Sequence, residues 1–368
     1  MSWRPTVTRS RGRRAAALLL VAVLVAAGCS DEDSPEPTGG TVPQDQASGT
    51  GEEPDGEALA CEPARPAEPG SVDRTLEHNG LTREYRLSVP AGYDGTEPVP
   101  LVLNLHGFGG SGVGHDAATG IPAATGDRGW LVVSPQGSGL SVPEGVPGAE
   151  AAAQFEGIPF WNFFGPGEVD FGGEGPGLPP DTTLEVDDVD FLRSLLDELE
   201  TELCVDADRL FVAGHSNGAG MSITLACELG DRLAAVGAVS GVNLTGVCEG
   251  EGPLSVLAIH GGADGIVVYE GGSLLDFELG NPSVPGRMDQ LAERSGCDPE
   301  PVLADAPDGV ERQRWVGCDA GAELELWTIS GWGHGWPRAE SPAEPGAIDA
   351  TEVVLDFFDS VTAPAAGD

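Results

Sequence analysis

The chain contains no lysine: all 18 basic residues are arginine, set against 60 acids for a formal net charge of -42 at pH 7. So acidic a chain would be repelled by a phosphate backbone, which excludes nucleic acid as the default partner. It equally argues against a basic membrane-surface module. Long hydrophobic runs are missing too, since the apolar stretch Ala15 to Ala27 is 13 residues, short for a bilayer span. No CxxC or HxxxH spacing supports a metal site. A phosphate-binding loop of the P-loop kind is discounted because the chain has no Lys to offer it. Neither a metal nor an organic cofactor is expected.

What is abundant is glycine and proline, 55 and 30 of 368 residues. Such a fraction would suggest disorder, but 40% hydrophobic residues can still form a large core. The length allows one large domain or two ordinary ones. Many acids without lysine read either as adaptation to high salt, because unscreened like charge weakens a compact state, or simply as an acidic secreted protein.

Arg4, Arg9, Arg11, Arg13 and Arg14 precede the apolar run, which ends in Val25-Ala26-Ala27-Gly28-Cys29-Ser30. This is an export signal, and its small residues before a cysteine resemble a bacterial lipobox. Cys29 is then the lipidated first residue of the mature chain, at residues 1–28 removed, and the lipid is its only link to a membrane. Residues 29–77 read as an acidic, Pro- and Gly-rich tether. The expected location is outside the cell, lipid-anchored or secreted. Six further cysteines, Cys61, Cys204, Cys227, Cys248, Cys297 and Cys318, suggest disulfides in that compartment, with 15 possible pairings.

From residue 78 to 362 short apolar runs alternate with helical patterns. Strands are expected at Thr82 to Val89, Val99 to Leu105, Trp130 to Ser134, Arg209 to Ala213, Ala234 to Val239, Leu254 to His260 and Leu324 to Ile329. Helices are expected at Val186 to Leu203, capped by Asp187 or Asp188, Ala219 to Leu229 and Thr351 to Val361. Uniformly apolar strands alternating with helices indicate a mostly parallel sheet covered on both faces, an α/β fold. Residues 363–368 read as a tail. The Gly137 to Pro180 stretch holds several aromatics that either line a ligand pocket or plug an apolar rim.

The sharpest signal is Gly214-His215-Ser216-Asn217-Gly218, a GxSxG directly after a buried strand and before a helix, the setting of a nucleophile elbow. Such a turn lifts Ser216 above the sheet edge at a helix N-terminus, where negative charge is favoured. Of six histidines only His260 and His334 follow Ser216. The chain order serine, acid, histidine selects His334 as the base, since it leaves room for an acid. Asp264, just past the Leu254 to His260 strand, is the acid that would orient it; Asp289 and Asp298 are weaker candidates. Backbone N–H groups of Phe108 and Asn217 are expected to form an oxyanion hole.

These segments together resemble the secreted polyhydroxybutyrate depolymerase and feruloyl esterase group of α/β-hydrolases, related to carbohydrate esterase family 1. The matching stretches are Leu105-His106-Gly107-Phe108-Gly109-Gly110-Ser111, Trp161-Asn162, Val186-Asp187-Asp188-Val189, the GxSxG, His260-Gly261-Gly262-Ala263-Asp264 and Gly333-His334-Gly335-Trp336-Pro337. The resemblance implies an α/β-hydrolase fold, the same three residues Ser216, Asp264 and His334, substrate contacts from Trp161 and Trp336, and a Cys297–Cys318 disulfide. Relatives often carry adjacent cysteines shortly after the Trp-Asn pair, where this chain has Phe163-Phe164. No binding module is expected after residue 361. The expected function is hydrolysis of a small or oligomeric carboxylic ester through an acyl-serine. The alternatives are a serine peptidase on the same fold and a catalytically silent binding lipoprotein.

Overall fold

A computed structural model describes residues 60–139, 157–169, 182–184, 186–245, 252–274, 277–339 and 348–361. The export signal, Cys29 and most of the tether lie outside these residues, as do Cys248 and the tail.

The described elements run β1 (Gly70–His78), β2 (Leu81–Val89), β3 (Val99–Leu105), α1 (Gly112–Thr119), α2 (Ile121–Arg128), β4 (Leu131–Pro135), β5 (Gly167–Val169), β6 (Thr182–Leu184), α3 (Asp188–Glu202), β7 (Val205–His215) and α4 (Asn217–Glu228). They continue β8 (Ala235–Val239), β9 (Val256–Gly261), β10 (Gly272–Leu274), β11 (Phe277–Asn281), α5 (Val284–Arg294), β12 (Val302–Ala304), β13 (Val310–Trp315), β14 (Leu324–Ile329) and α6 (Ala350–Ser360). Ten strands form one sheet in the order β1-β2-β4-β3-β7-β8-β9-β14-β13-β12. From β4 to β14 neighbours are parallel. Antiparallel hairpins extend both edges.

Alternation along the strands sorts the core into two layers. Leu101, Leu103, Leu105, Leu210 and Val212 face one cluster with Phe191, Leu195 and Leu199 of α3, Ile223 and Leu225 of α4 and Met288 of α5. Val102, Phe211, Ala213, Leu257 and Ile259 face the other, against Ile121 of α2 and Val354, Leu355 and Phe358 of α6. The sheet therefore lies between two helical layers, and the expected α/β-hydrolase arrangement is what the chain adopts. Asp187 caps α3, its side chain accepting from Asp190 N–H at 2.9 Å.

The folded region starts earlier than the expected residue 78. β1 pairs with β2 along its whole length around an Asn79-Gly80 turn with φ of 49° and 79°. Cys61 is disulfide-bonded to Cys204. Arg65 donates to the carbonyls of Glu200 and Leu203 at the end of α3, at 2.7 and 3.1 Å. The tether boundary at 77 is thus corrected: a half-buried edge strand needs few apolar residues, so its polar sequence resembled a linker. Cys297 is bonded to Cys318, and Cys227 is disulfide-bonded as well. No helix among the described residues is long and apolar enough to cross a membrane.

Candidate active site

The carboxyl ends of β7, β9 and β14 converge on one point, the usual position for a site in a parallel sheet. β7 ends at His215, and the chain turns at Ser216 with φ 55° and ψ -120° before α4 begins at Asn217. A non-glycine residue at positive φ is strained. The turn is held because Ser216 N–H donates to Val239 O at 2.9 Å and Ser216 O accepts from Gly220 N–H at 3.0 Å. The motif glycines are required by contact: a Cβ at Gly214 would lie 2.3 Å from Gly218 O, and one at Gly218 would lie 2.3 Å from Leu105 O.

Ser216 Oγ stands 2.9 Å from His334 Nε2, and His334 Nδ1 stands 2.8 Å from Asp264 Oδ2. With a carboxylate as partner, Nδ1 carries the proton and Nε2 accepts from the serine hydroxyl. Asp264 Oδ1 accepts the N–H groups of Ile266 and Val267 at 2.8 and 2.9 Å. Burial alone would raise the Asp264 pKa; the His334 bond and charge with the two backbone donors outweigh it, so it lies below the usual carboxylate value. Asp264 is therefore a charged acceptor at neutral pH.

The acid and histidine loops are laced together. Ala263 N–H donates to Trp332 O at 3.0 Å, and Ser240 Oγ donates to Gly335 O at 3.2 Å. Gly107 is the closest neighbour from the β3 side, where an added Cβ would come within 3.3 Å of Ser216 Cβ. Phe108 follows it in a turn closed by Gly110 N–H to Gly107 O at 3.0 Å. His106 is buried and neutral in form: Nδ1 donates to Gly107 O at 2.7 Å and Nε2 accepts Gly137 N–H at 3.0 Å, while burial lowers its pKa. Asn217 opens α4 at its positive end beside Ser216.

Trp161 does not play the part expected of it. Trp161 is fully buried. Its N–H donates to Asn217 Oδ1 at 2.7 Å, Asn217 Nδ2 donates back to Trp161 O at 3.0 Å, and its indole donates to His106 O at 3.0 Å. It is a brace between the β3 turn and the start of α4, with no face left for a substrate. Trp336 is half-buried; its indole donates to Thr351 Oγ1 at 3.0 Å and its ring meets His115 edge-on. The His215 ring, next to Ser216, lies 5.0 Å from that of His334. Aromatics from the long loop reach the turn that follows β3. Phe108 meets Phe160 edge-on at 6.1 Å, and Phe160 leads through Phe163 to Phe164, with Phe108 46% and Phe164 38% exposed.

No family model matches the chain. Curated relatives do. NocK of Nocardia uniformis subsp. tsuyamanensis, which carries the name of an esterase, is 29% identical over 299 residues, 76% of this chain and 78% of that protein. Feruloyl esterase C of Emericella nidulans is 30% identical over 62% of this chain and 74% of its own length. The chain belongs to this esterase family of the α/β-hydrolase superfamily. It is a distant member: with feruloyl esterase B of Piromyces equi it shares 28% identity over 68% of this chain but only 42% of that protein.

Within this family member two supports escaped the sequence reading. The Asn217 side chain is clamped to Trp161, and Asp188, with Asn162 N–H on one oxygen and Arg83 on the other at 2.8 and 2.7 Å, ties the same segment to α3. The Trp161-Asn162 and Asp187-Asp188 pairs, both among the stretches that carry the family resemblance, were the available signal. A groove of about 310 Å³ lined by Asp73, Arg74, Tyr85, Arg86 and Gln136 lies away from Ser216.

Proposed function

We propose that the chain is an exported serine carboxylic-ester hydrolase. The observation that carries this reading is the continuous relay from Ser216 Oγ through His334 to Asp264, at 2.9 and 2.8 Å. Ser216 Oγ attacks the ester carbonyl carbon as His334 Nε2 takes its proton. Asp264 holds the imidazole in the required tautomer and stabilises the imidazolium. Backbone N–H groups of Asn217 and Phe108 receive the tetrahedral oxyanion. The C–O bond then breaks, and His334 protonates the leaving alcohol to give acyl-Ser216. Water, deprotonated by His334, attacks the acyl carbon and restores the serine. Every proton moves between substrate, water, Ser216 and His334, while Asp264 stays ionised.

The aromatic row from Phe108 to Phe164 favours an apolar or aromatic group on one side of the ester, such as a hydroxycinnamoyl group, with hydroxyalkanoate oligomers as the second choice. Disulfides accord with an oxidising compartment, and lipidation at Cys29 completes the proposal as its anchor. The test compares methyl ferulate, hydroxybutyrate oligomers, a simple acetyl ester and the amide of ferulic acid in wild type and Ser216→Ala. Ester turnover lost by at least about a thousandfold in the variant supports the reading. Faster turnover of the amide would favour the peptidase alternative, and turnover unaffected by Ser216→Ala would refute both.

A further inference from the structure

His260 ends β9 and is buried, its side chain fully enclosed. One ring nitrogen, Nε2, lies 2.9 Å from Val267 O and 3.4 Å from Asp264 Oδ2. A carbonyl oxygen can only accept, so Nε2 carries the proton. The other, Nδ1, is buried without a partner. A buried unpartnered nitrogen is a cost that an aliphatic side chain of similar size would avoid, so the imidazole calls for an explanation.

The bonds at Val267 supply one. Its carbonyl accepts from His260, and its N–H donates to Asp264 Oδ1. The residue that seats one carboxylate oxygen is itself anchored by the histidine, while the Nε2–H edge also faces the other oxygen. We infer that His260 is a positioning residue for the Ser216–His334–Asp264 relay, fixing the 264–267 turn so that Asp264 Oδ2 meets His334 Nδ1. This inference rests on the proposed esterase reading.

The titratable groups facing His260 are Asp264 and His334 from the two loops, Tyr269 edge-on at 5.9 Å, and His215 at the end of β7, whose titration it influences. Burial lowers the His260 pKa, in keeping with a neutral ring that donates to a carbonyl. A misaligned Asp264 would stabilise the His334 imidazolium less. The acid limb of the activity profile would then move to lower pH.

The test uses His260→Leu, His260→Asn and His260→Gln in the whole mature chain. Gln can extend an amide donor to Val267 O; Asn is too short. Expected for Leu and Asn is a fall in kcat on an ester of between about tenfold and about a hundredfold, with KM within about threefold. Their acid limb shifts to lower pH, and Gln recovers most of the loss. Full activity in folded Leu or Asn variants, or equal loss in Gln and Asn with an unmoved pH profile, would overturn the inference. The hydrogen-bonded His334 Nδ1 proton, followed by NMR, decides independently of turnover: it should weaken in Asn and persist in Gln, and its persistence in Asn contradicts the role. If wild type shows no Ser216-dependent turnover, the esterase reading fails while this NMR comparison still judges the positioning.

Discussion

Replacing His115 by phenylalanine should flatten the acid side of the stability profile. His115 lies in α1 with its ring buried, stacked on His215 at 6.4 Å and edge-on to Trp336 at 5.7 Å. Its Nε2 has no partner. Burial, with the neighbouring His106 charge second, lowers its pKa from 6.5 to about 3. The unfolded chain therefore takes up the proton first as pH falls below 6.5, and stability drains away until the folded ring also protonates near 3. At 1.36 kcal/mol per unit the full loss is about 5 kcal/mol, of which about 2 kcal/mol has gone by pH 5. His106, His215 and His260 act in the same direction. Asp116 and Asp188, raised chiefly by burial, act in the opposite one. The difference between His115→Phe and wild type cancels these contributions. Urea unfolding at half-unit steps from pH 8 to pH 5 measures it. The two proteins should agree within about 1 kcal/mol at pH 8, and the variant should gain about 2 kcal/mol on wild type by pH 5. Parallel profiles would show that the ring is not held neutral by its surroundings.

Gly218→Ala places a Cβ 2.3 Å from Leu105 O and 2.5 Å from His106 O; it should cost about 1–3 kcal/mol in urea unfolding and slow active-site serine labelling by at least about tenfold. Arg83→Met leaves the enclosed Asp188 carboxylate without its cation and should destabilise by about 3–5 kcal/mol, with Arg83→Met/Asp188→Leu recovering most of it. Opening Cys61–Cys204, which closes 143 residues, should cost about 5 kcal/mol, against about 3 kcal/mol for Cys297–Cys318 over 21 residues; Cys61→Ser and Cys297→Ser chains unfolded in parallel check the order.

The parallel centre of the sheet was legible because β3, β8 and the Leu210–Gly214 half of β7 are buried on both faces and leave short apolar runs. Hydrophobic periodicity reports burial, so it failed where burial is partial. β1 shows only half-buried and exposed positions, and the Asn79-Gly80 turn that announces its hairpin was masked by the polar residues before it. β12 and β13, the other edge, were equally silent. At the site, motif order placed Ser216, Asp264 and His334, because each follows a recognisable strand. Which way a tryptophan faces has no such signature. Trp161 has the composition of a substrate contact and the position of a brace, and only the packing against Asn217 separates the two. His260 likewise read as the end of a strand, because its bond to Val267 depends on how the next turn folds.

The central claim is that Ser216 is activated by His334 and Asp264. A fluorophosphonate reacts with such a serine and spares ordinary hydroxyls, so the purified mature domain should be labelled in low and in molar salt and the modified peptide identified by mass spectrometry. The account predicts a single adduct on Ser216, lost in His334→Ala and strongly slowed in Asp264→Asn. Folded protein that takes up no label in either buffer, or label that survives His334→Ala, would contradict it.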